Sequence, residues 1–284
     1  MIRSQKRSKN TANAVIYIIL SVMAVVWLFP ILWLVVRSFQ GEKGAWITTV
    51  FPQKYTLSNY VNLFKDTSLF NFPKWFMNTF WVATFTCLLS TMLIMMISYT
   101  FSRLRFKARK GYMNIGLILG MFPGFLTMIA VYHILKIFGM YQSHISLILV
   151  YSAGSCLVYF IAKGYFDTIP RALDEAATID GATKSQIFWK ITLPLSKPIV
   201  VYTALTSFMG PWADFIFASI IMKDNYDKYT VAVGLYKMLE RENIFNWFTS
   251  FCAGAVLVSI PITILFIIGQ NYYVEGVTGG ATKG

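Results

Sequence analysis

The sequence predicts an all-α membrane protein with six transmembrane helices, and three observations lead there. Hydrophobic residues make up 56% of the 284 residues and charged residues only 13%, too little polar material for a soluble domain of this length. The apolar residues gather into six runs, each long enough to cross a hydrocarbon core of ~30 Å. The basic residues, which give a net charge of +13, stand at the ends of those runs. They form no basic face with interleaved aromatics, so the charge reads as membrane topology and not as nucleic-acid binding.

The first run, 14–36, follows a segment, 1–13, that carries Arg3, Lys6, Arg7 and Lys9. A signal peptide would have a shorter apolar core and a small-residue cleavage site; neither is evident, so the run reads as an uncleaved first span. Residues 38–74 form a long connection, and spans at 75–101, 112–138 and 144–165 follow. Pro30 in the first span and Pro123 in the third are helix-breakers that a bundle tolerates around a cavity. Gly116, Gly120 and Gly124 recur every four residues, a stripe that lets another helix approach closely, from this bundle or from a second subunit. Phe122, Tyr132 and Tyr151 lie near kinks or mid-span, as candidates either for a substrate pathway or for ordinary aromatic bulk.

Residues 170–194 are the longest polar interruption in the second half of the chain. Pro170 sits where a helix starts, and Asp174 and Glu175 lie in or just after its first turn, where the helix dipole favours anions. Leu173, Ala176 and Ala177 make a small apolar face, and Gly181 can take a left-handed C-terminal conformation. Thr183 and Gln186 spell a capping box for a second helix, with Ile187, Phe188 and Ile191 on its apolar face, and Pro194 is expected to end it. The segment is therefore expected to be a short helix-turn-helix between two spans. With the N-terminus inside, the inner segments hold the N-terminal basic residues, the dense cluster Arg103, Arg105, Lys107, Arg109 and Lys110, and Lys163, Arg171, Lys184, Lys190, Lys197 and Lys283. That asymmetry puts both termini and the loop in the cytoplasm.

The fixed positions of this loop are Glu175-Ala176-Ala177, Gly181, Ile191 and Leu193-Pro194, with Asp180 flanking Gly181. The pattern resembles the EAA loop of the membrane subunits of ATP-binding-cassette importers, and the flanking Ile179 and Ala182 resemble its sugar-importer version. The resemblance implies a type I importer permease fold, with those residues forming a coupling helix that docks on a cytoplasmic ATPase. Thr56 to Phe64 in the outer connection similarly looks like the short helix before the second span of sugar-importer permeases.

The fifth span, 199–222, contains Gly210-Pro211 and Trp212-Ala213-Asp214-Phe215. Asp214 stands alone as an acidic residue within a span, where a carboxylate costs ~2.5 to 3.5 kcal/mol on insertion scales. It reads either as a group that pairs inside the bundle or as a ligand contact with Trp212 and Phe215. The stretch resembles the Trp-Asn-Glu/Asp-Phe signature of sugar permeases, with Ala213 in place of the asparagine. A second outer loop, 223–248, carries mixed charges, in a permease a landing ledge for an external binding protein. The sixth span, 249–273, holds Pro261 and leads to a glycine-rich tail, 274–284. That tail and the Gly210-Pro211-Trp212 stretch resemble the maltodextrin branch of the family.

Cys87, Cys156 and Cys252 lie inside spans at no metal-like spacing, and His133 and His144 have no partner cluster. No Gly-Lys dipeptide occurs, so a phosphate-binding loop of the Gly-Lys-Ser/Thr type is excluded. The organisation expected is a basic cytoplasmic N-terminus (1–13), a six-span membrane domain (14–273) and a cytoplasmic tail (274–284). The resemblance implies a subunit that performs no covalent chemistry and holds no cofactor, ATP and Mg being bound by two partner ATPase subunits. A second permease subunit, an external sugar-binding protein, the lipid bilayer and a maltose-type oligosaccharide complete the expected partners. A galacto- or other glucan-type oligosaccharide is the alternative substrate, and an ion-coupled secondary transporter is the alternative class.

Overall fold

The computed structural model describes residues 2–42, 49, 51–153 and 156–278. The elements are α1 (Ile2–Ser38), α2 (Ser58–Lys65), α3 (Phe72–Arg103), α4 (Arg109–Gly120), α5 (Gly124–Ile137), α6 (His144–Ala153), α7 (Cys156–Thr168), α8 (Arg171–Ile179) and α9 (Lys184–Ile187). A π-helical turn, Phe188–Thr192, then leads to α10 (Leu193–Leu195), α11 (Lys197–Ala213), α12 (Ile216–Met222), α13 (Val231–Met238) and α14 (Ile244–Thr278).

Three single helical stretches are long and apolar enough to cross a membrane, Asn13–Ser38 of α1, Phe72–Arg103 and Ile244–Tyr272 of α14. The pairs α4/α5, α6/α7 and α11/α12 are bent at short breaks, and the count reaches six if each pair is one span. The third span is therefore not the straight run over 112–138 that the apolar pattern suggests: α4 and α5 meet at 103°. Pro123 has no N–H to give to a preceding carbonyl and disfavours a helical residue before it, so the helix stops at Gly120 and restarts at Gly124. The break also divides the glycine stripe, Gly116 and Gly120 lying on α4 and Gly124 at the start of α5, where an added Cβ would meet nothing within 4 Å, although the three still line one cavity. Close approach is used elsewhere. A Cβ at Gly234 would lie 2.0 Å from Trp75 Cε3, and one at Gly269 would lie 2.2 Å from Leu205 Cδ1. Pro30 and Pro261 sit inside unbroken α1 and α14.

The chain forms two compact units, one from the chain up to Phe70 with Lys237–Leu257, the other from Asn71–Tyr236 and the chain from Val258. In the first, Asn59 Nδ2 donates to the carbonyls of Ser38 (3.0 Å) and Gln40 (2.8 Å), which ties α2 to the end of α1. Arg37, fully buried, donates to Gln40 Oε1 at 2.6 Å. Along α1 the apolar side chains from Val15 to Leu32 are exposed, as expected of a face that meets lipid or another chain.

In the second unit α3 is the central rod, against which α6, α7 and α11 pack. Its buried face, from Trp75 through Thr79, Val82, Ala83, Thr86 and Ser90 to Ser98 and Ser102, is rich in small and hydroxyl residues at helical spacing. Lipid is as apolar as leucine, so such helices associate through close packing and interhelical hydrogen bonds. Ser98 donates to the Tyr159 carbonyl (3.0 Å), Ser207 to Ser90 (3.1 Å), and the Val231 amide to Thr79 Oγ1 (2.7 Å). At one end of this face the packing turns apolar, in a cluster of Ile94, Met95, Tyr99, Ala162, Phe166, Ile169, Phe188 and Ile199. Phe188 carries the 170–194 loop into that cluster.

Candidate functional site

The loop between α7 and α11 folds locally as its sequence dictates. Pro170, at φ −57° and ψ 128°, caps the start of α8, and Asp174 lies in its first turn. At the other end Gly181 takes φ +84°. The Ala182 amide donates to the Ala177 carbonyl (2.9 Å) and the Gly181 amide to the Thr178 carbonyl (3.1 Å), the paired bonds of a Schellman end. Two residues on, the Thr183 side chain accepts from the Gln186 amide (3.3 Å) while Gln186 Oε1 accepts from the Thr183 amide (2.8 Å), completing the capping box. Pro194, however, does not end the second helix. The backbone widens to a π turn over Phe188–Thr192, with the Leu193 amide reaching the Phe188 carbonyl, and runs on through Leu195. The wider turn accommodates a proline that would otherwise clash with the carbonyl four residues back.

The two halves of the loop are anchored differently. Ile187 is fully buried and Phe188 nearly so, with the Phe188 ring 4.9 Å from that of Tyr99 on α3. Ile191 and Leu193 are half-buried and Pro194 is exposed. By contrast α8 buries no side chain: Glu175, Ala176, Asp180 and Gly181 are exposed, Ala177 is half-buried, and Ile179 is 86% exposed. An open cavity of about 420 Å³ lies beside α8, lined by Tyr99, Arg103, Arg105, Arg171, Glu175 and Lys184 among others.

Sequence reasoning missed the polar ties beneath α8. Arg103, the last residue of α3, donates through Nη2 to the carbonyls of Phe166 (2.7 Å) and Ile169 (2.8 Å), and its Nε faces Asp174 Oδ2 at 3.5 Å. Ser102 donates to Asp167 Oδ1 (2.6 Å), whose other oxygen receives Lys163 (2.5 Å). By sequence alone Asp174 falls in or just after a first helical turn and Arg103 in the basic segment beyond a span ending at 101, whereas α3 runs on to Arg103, and nothing in a pattern of single residues pairs groups so far apart in the chain.

Of the six pathway candidates, three come together. Phe122, Tyr151 and Asp214 share the wall of an apolar cavity of about 620 Å³ with Gly116, Met128 and Phe217. Both Asp214 oxygens are used by the protein: Oδ2 accepts from the Tyr151 hydroxyl (2.6 Å), and Oδ1 accepts from the Phe217 amide (3.0 Å), which caps α12 where α11 breaks by 60°. The other three lie apart. Trp212 is buried against Phe76 (5.0 Å) and Phe208 (6.0 Å), the Phe215 ring lies tilted against that of Tyr236 with centroids 4.1 Å apart, and Tyr132 has the Lys223 ammonium 5.2 Å from its ring centre. Among the described residues no group of His, Cys, Asp and Glu is arranged to hold a metal ion.

Residues 94–278 match the family described as binding-protein-dependent transport system inner membrane component. The chain belongs to this family. It is 38% identical over 269 residues to the galactooligosaccharides transport system permease protein GanQ of Bacillus subtilis, covering 94% of each chain. It is 33% identical to the maltodextrin transport system permease protein MdxG of the same organism, over 94% of this chain and 95% of that one. The fold is that of a chain in a bacterial importer of the acidic polysaccharide alginate, with a TM-score of 0.80 at 23% identity over 94% of this chain and 98% of that one. This inner membrane component is thus a multi-pass, helical importer permease. Its family-matched region begins in the second half of α3 and includes α8 and Asp214.

Proposed function

We propose that the chain is the permease subunit of an ATP-binding-cassette importer for an oligosaccharide, coupled to ATP hydrolysis through α8. The observation that carries the coupling role is the contrast within the loop: α9 is fastened into the core through Ile187 and Phe188, while α8 buries no side chain fully and leaves Glu175 and Ala176 exposed, with Ala177 half-buried. A short helix held out on a fixed base is a shape made to seat in a partner's groove. In this reading the partners are a second permease of similar fold, two cytoplasmic ATPase subunits that bind ATP and Mg, and an external binding protein. Closure of the ATPases displaces α8, and the bent spans pivot at Met121–Pro123 and Asp214–Phe215 to open the path first to one side and then to the other. Asp180, Gly181, Ile191, Leu193 and Pro194 shape the loop for that docking. This chain moves the sugar and alters no bond in it.

Support for a sugar comes from the names of the relatives, and among them galactooligosaccharide stands ahead at 38% against 33% identity over equal lengths. The maltodextrin reading keeps the support of that relative and of the Gly210-Pro211-Trp212 stretch. The deciding experiment is uptake into proteoliposomes holding the copurified complex, its binding protein and internal ATP, with labelled galactotriose and maltotriose in parallel. ATP-dependent entry of galactotriose supports the first reading, and entry of maltotriose alone supports the second. Entry of either sugar without ATP, by this chain purified alone, would overturn the importer assignment in favour of a secondary transporter.

A further inference from the structure

We infer that Arg103 is a positioning residue that couples displacement of α8 to the central rod α3. The inference rests on reading α8 as the coupling helix and adds the link by which its motion reaches the spans. No side chain of α8 is fully buried, and the helix packs on α9 rather than into the core. Among the described residues the one ion pair joining α8 to a membrane-spanning helix is Asp174 with Arg103, whose side chains are 14% and 4% exposed. The same guanidinium holds the carbonyls of Phe166 and Ile169, at the end of α7 and just before Pro170. The Phe166 carbonyl also accepts from the Ile169 amide (3.2 Å), and a cation at this C-terminal end of α7 is favoured by the helix dipole. One planar fork therefore closes the corner formed by the end of α7, the Pro170 turn and the first turn of α8. Lysine lacks the fork to make these contacts together.

The place of Arg103 in the fold gives the corner its consequence. It is the last residue of α3, and α3 is the helix on which α6, α7 and α11 all pack. A push on α8 without this link reaches the bundle along the chain, through Pro170 on one side and Gly181 on the other, and through its contacts with α9. With it, the push is delivered directly to the end of α3, and from there to α11, which carries the break at Asp214. Phe188 performs the apolar half of the same task for α9.

The test uses the assembled importer in proteoliposomes with its binding protein, and reads ATP hydrolysed per sugar moved alongside recovery of the complex. Arg103→Met and Asp174→Asn are expected to raise that ratio roughly tenfold, within the usual range of coupling between sites. The double variant should be no worse than the worse single variant, because both cut one link. Arg103→Lys should fall between wild type and Arg103→Met. If Arg103→Met fails to assemble, Asp174→Asn decides, since it keeps the side chain's shape. An unchanged ratio in Asp174→Asn, or equal falls in hydrolysis and transport, overturns the inference. Gly181→Val serves as the control for the loop: a raised ratio there with none in the Arg103 and Asp174 variants removes only the link, while no change in any of them removes the coupling reading too.

Discussion

At the scale of single residues, two glycines separate backbone freedom from space. Gly181 holds φ +84° with nothing within 4 Å of an added Cβ, so only the left-handed backbone demands glycine. Gly181→Val should strain the turn by about 1–2 kcal/mol, misplacing α8 relative to α9 while insertion and complex recovery stay near wild type; transport at matched protein level should fall, and unchanged transport would remove Gly181 from the mechanism. Gly234 is the opposite case, with an ordinary backbone but the Trp75 ring 2.0 Å from an added Cβ. Gly234→Ala should destabilise the second unit by about 1–3 kcal/mol through overpacking, read as a lower melting temperature of the purified protein. Gly181 was legible from its place between a small apolar face and a capping box. Gly234 was not, because the ring it accommodates lies on α3, far away in sequence.

At the scale of elements, apolar runs located the spans within a few residues but did not reveal which were broken. Hydropathy sums over a window and is blind to direction, so 112–138 reads the same whether straight or bent by 103°. Prolines alone mislead: Pro30 and Pro261 leave their helices whole, while Pro123 stands at a break and Pro211 lies just before one. At Pro194 the chain found a third answer, a π turn. The break after α11 is held by Asp214, whose carboxylate caps α12 and takes the Tyr151 hydroxyl. Asp214→Leu should therefore leave the Phe217 amide and the half-buried Tyr151 hydroxyl without their partner, at about 1–3 kcal/mol in all, and lower the melting temperature below that of Asp214→Asn, which keeps an acceptor. If instead the two variants melt alike and only transport responds, the carboxylate serves the substrate and not the break.

At the scale of the molecule, sequence and structure divide the labour. The 170–194 pattern, the apolar runs and the family match agree on an importer permease, yet the fold alone has no inside and outside; orientation comes from lysine and arginine. The basic cluster from Arg103 to Lys110 and the loop carrying Lys184 lie on one side of the spans if α3 and the α4/α5 pair each cross once. The positive-inside rule then predicts that both are cytoplasmic and that Tyr226, between α12 and α13, is outside. Lys184 and Tyr226 are both exposed, so a cysteine at either is open to reagent. In intact cells a membrane-impermeant maleimide should label Tyr226→Cys and spare Lys184→Cys, with both labelled after the membrane is opened. Cys252 is buried and Cys87 half-buried, which keeps the background from them low. The reverse pattern would turn α8 away from any cytoplasmic ATPase, and the coupling role of Glu175, Ala176, Ala177 and Arg103 would fall with it.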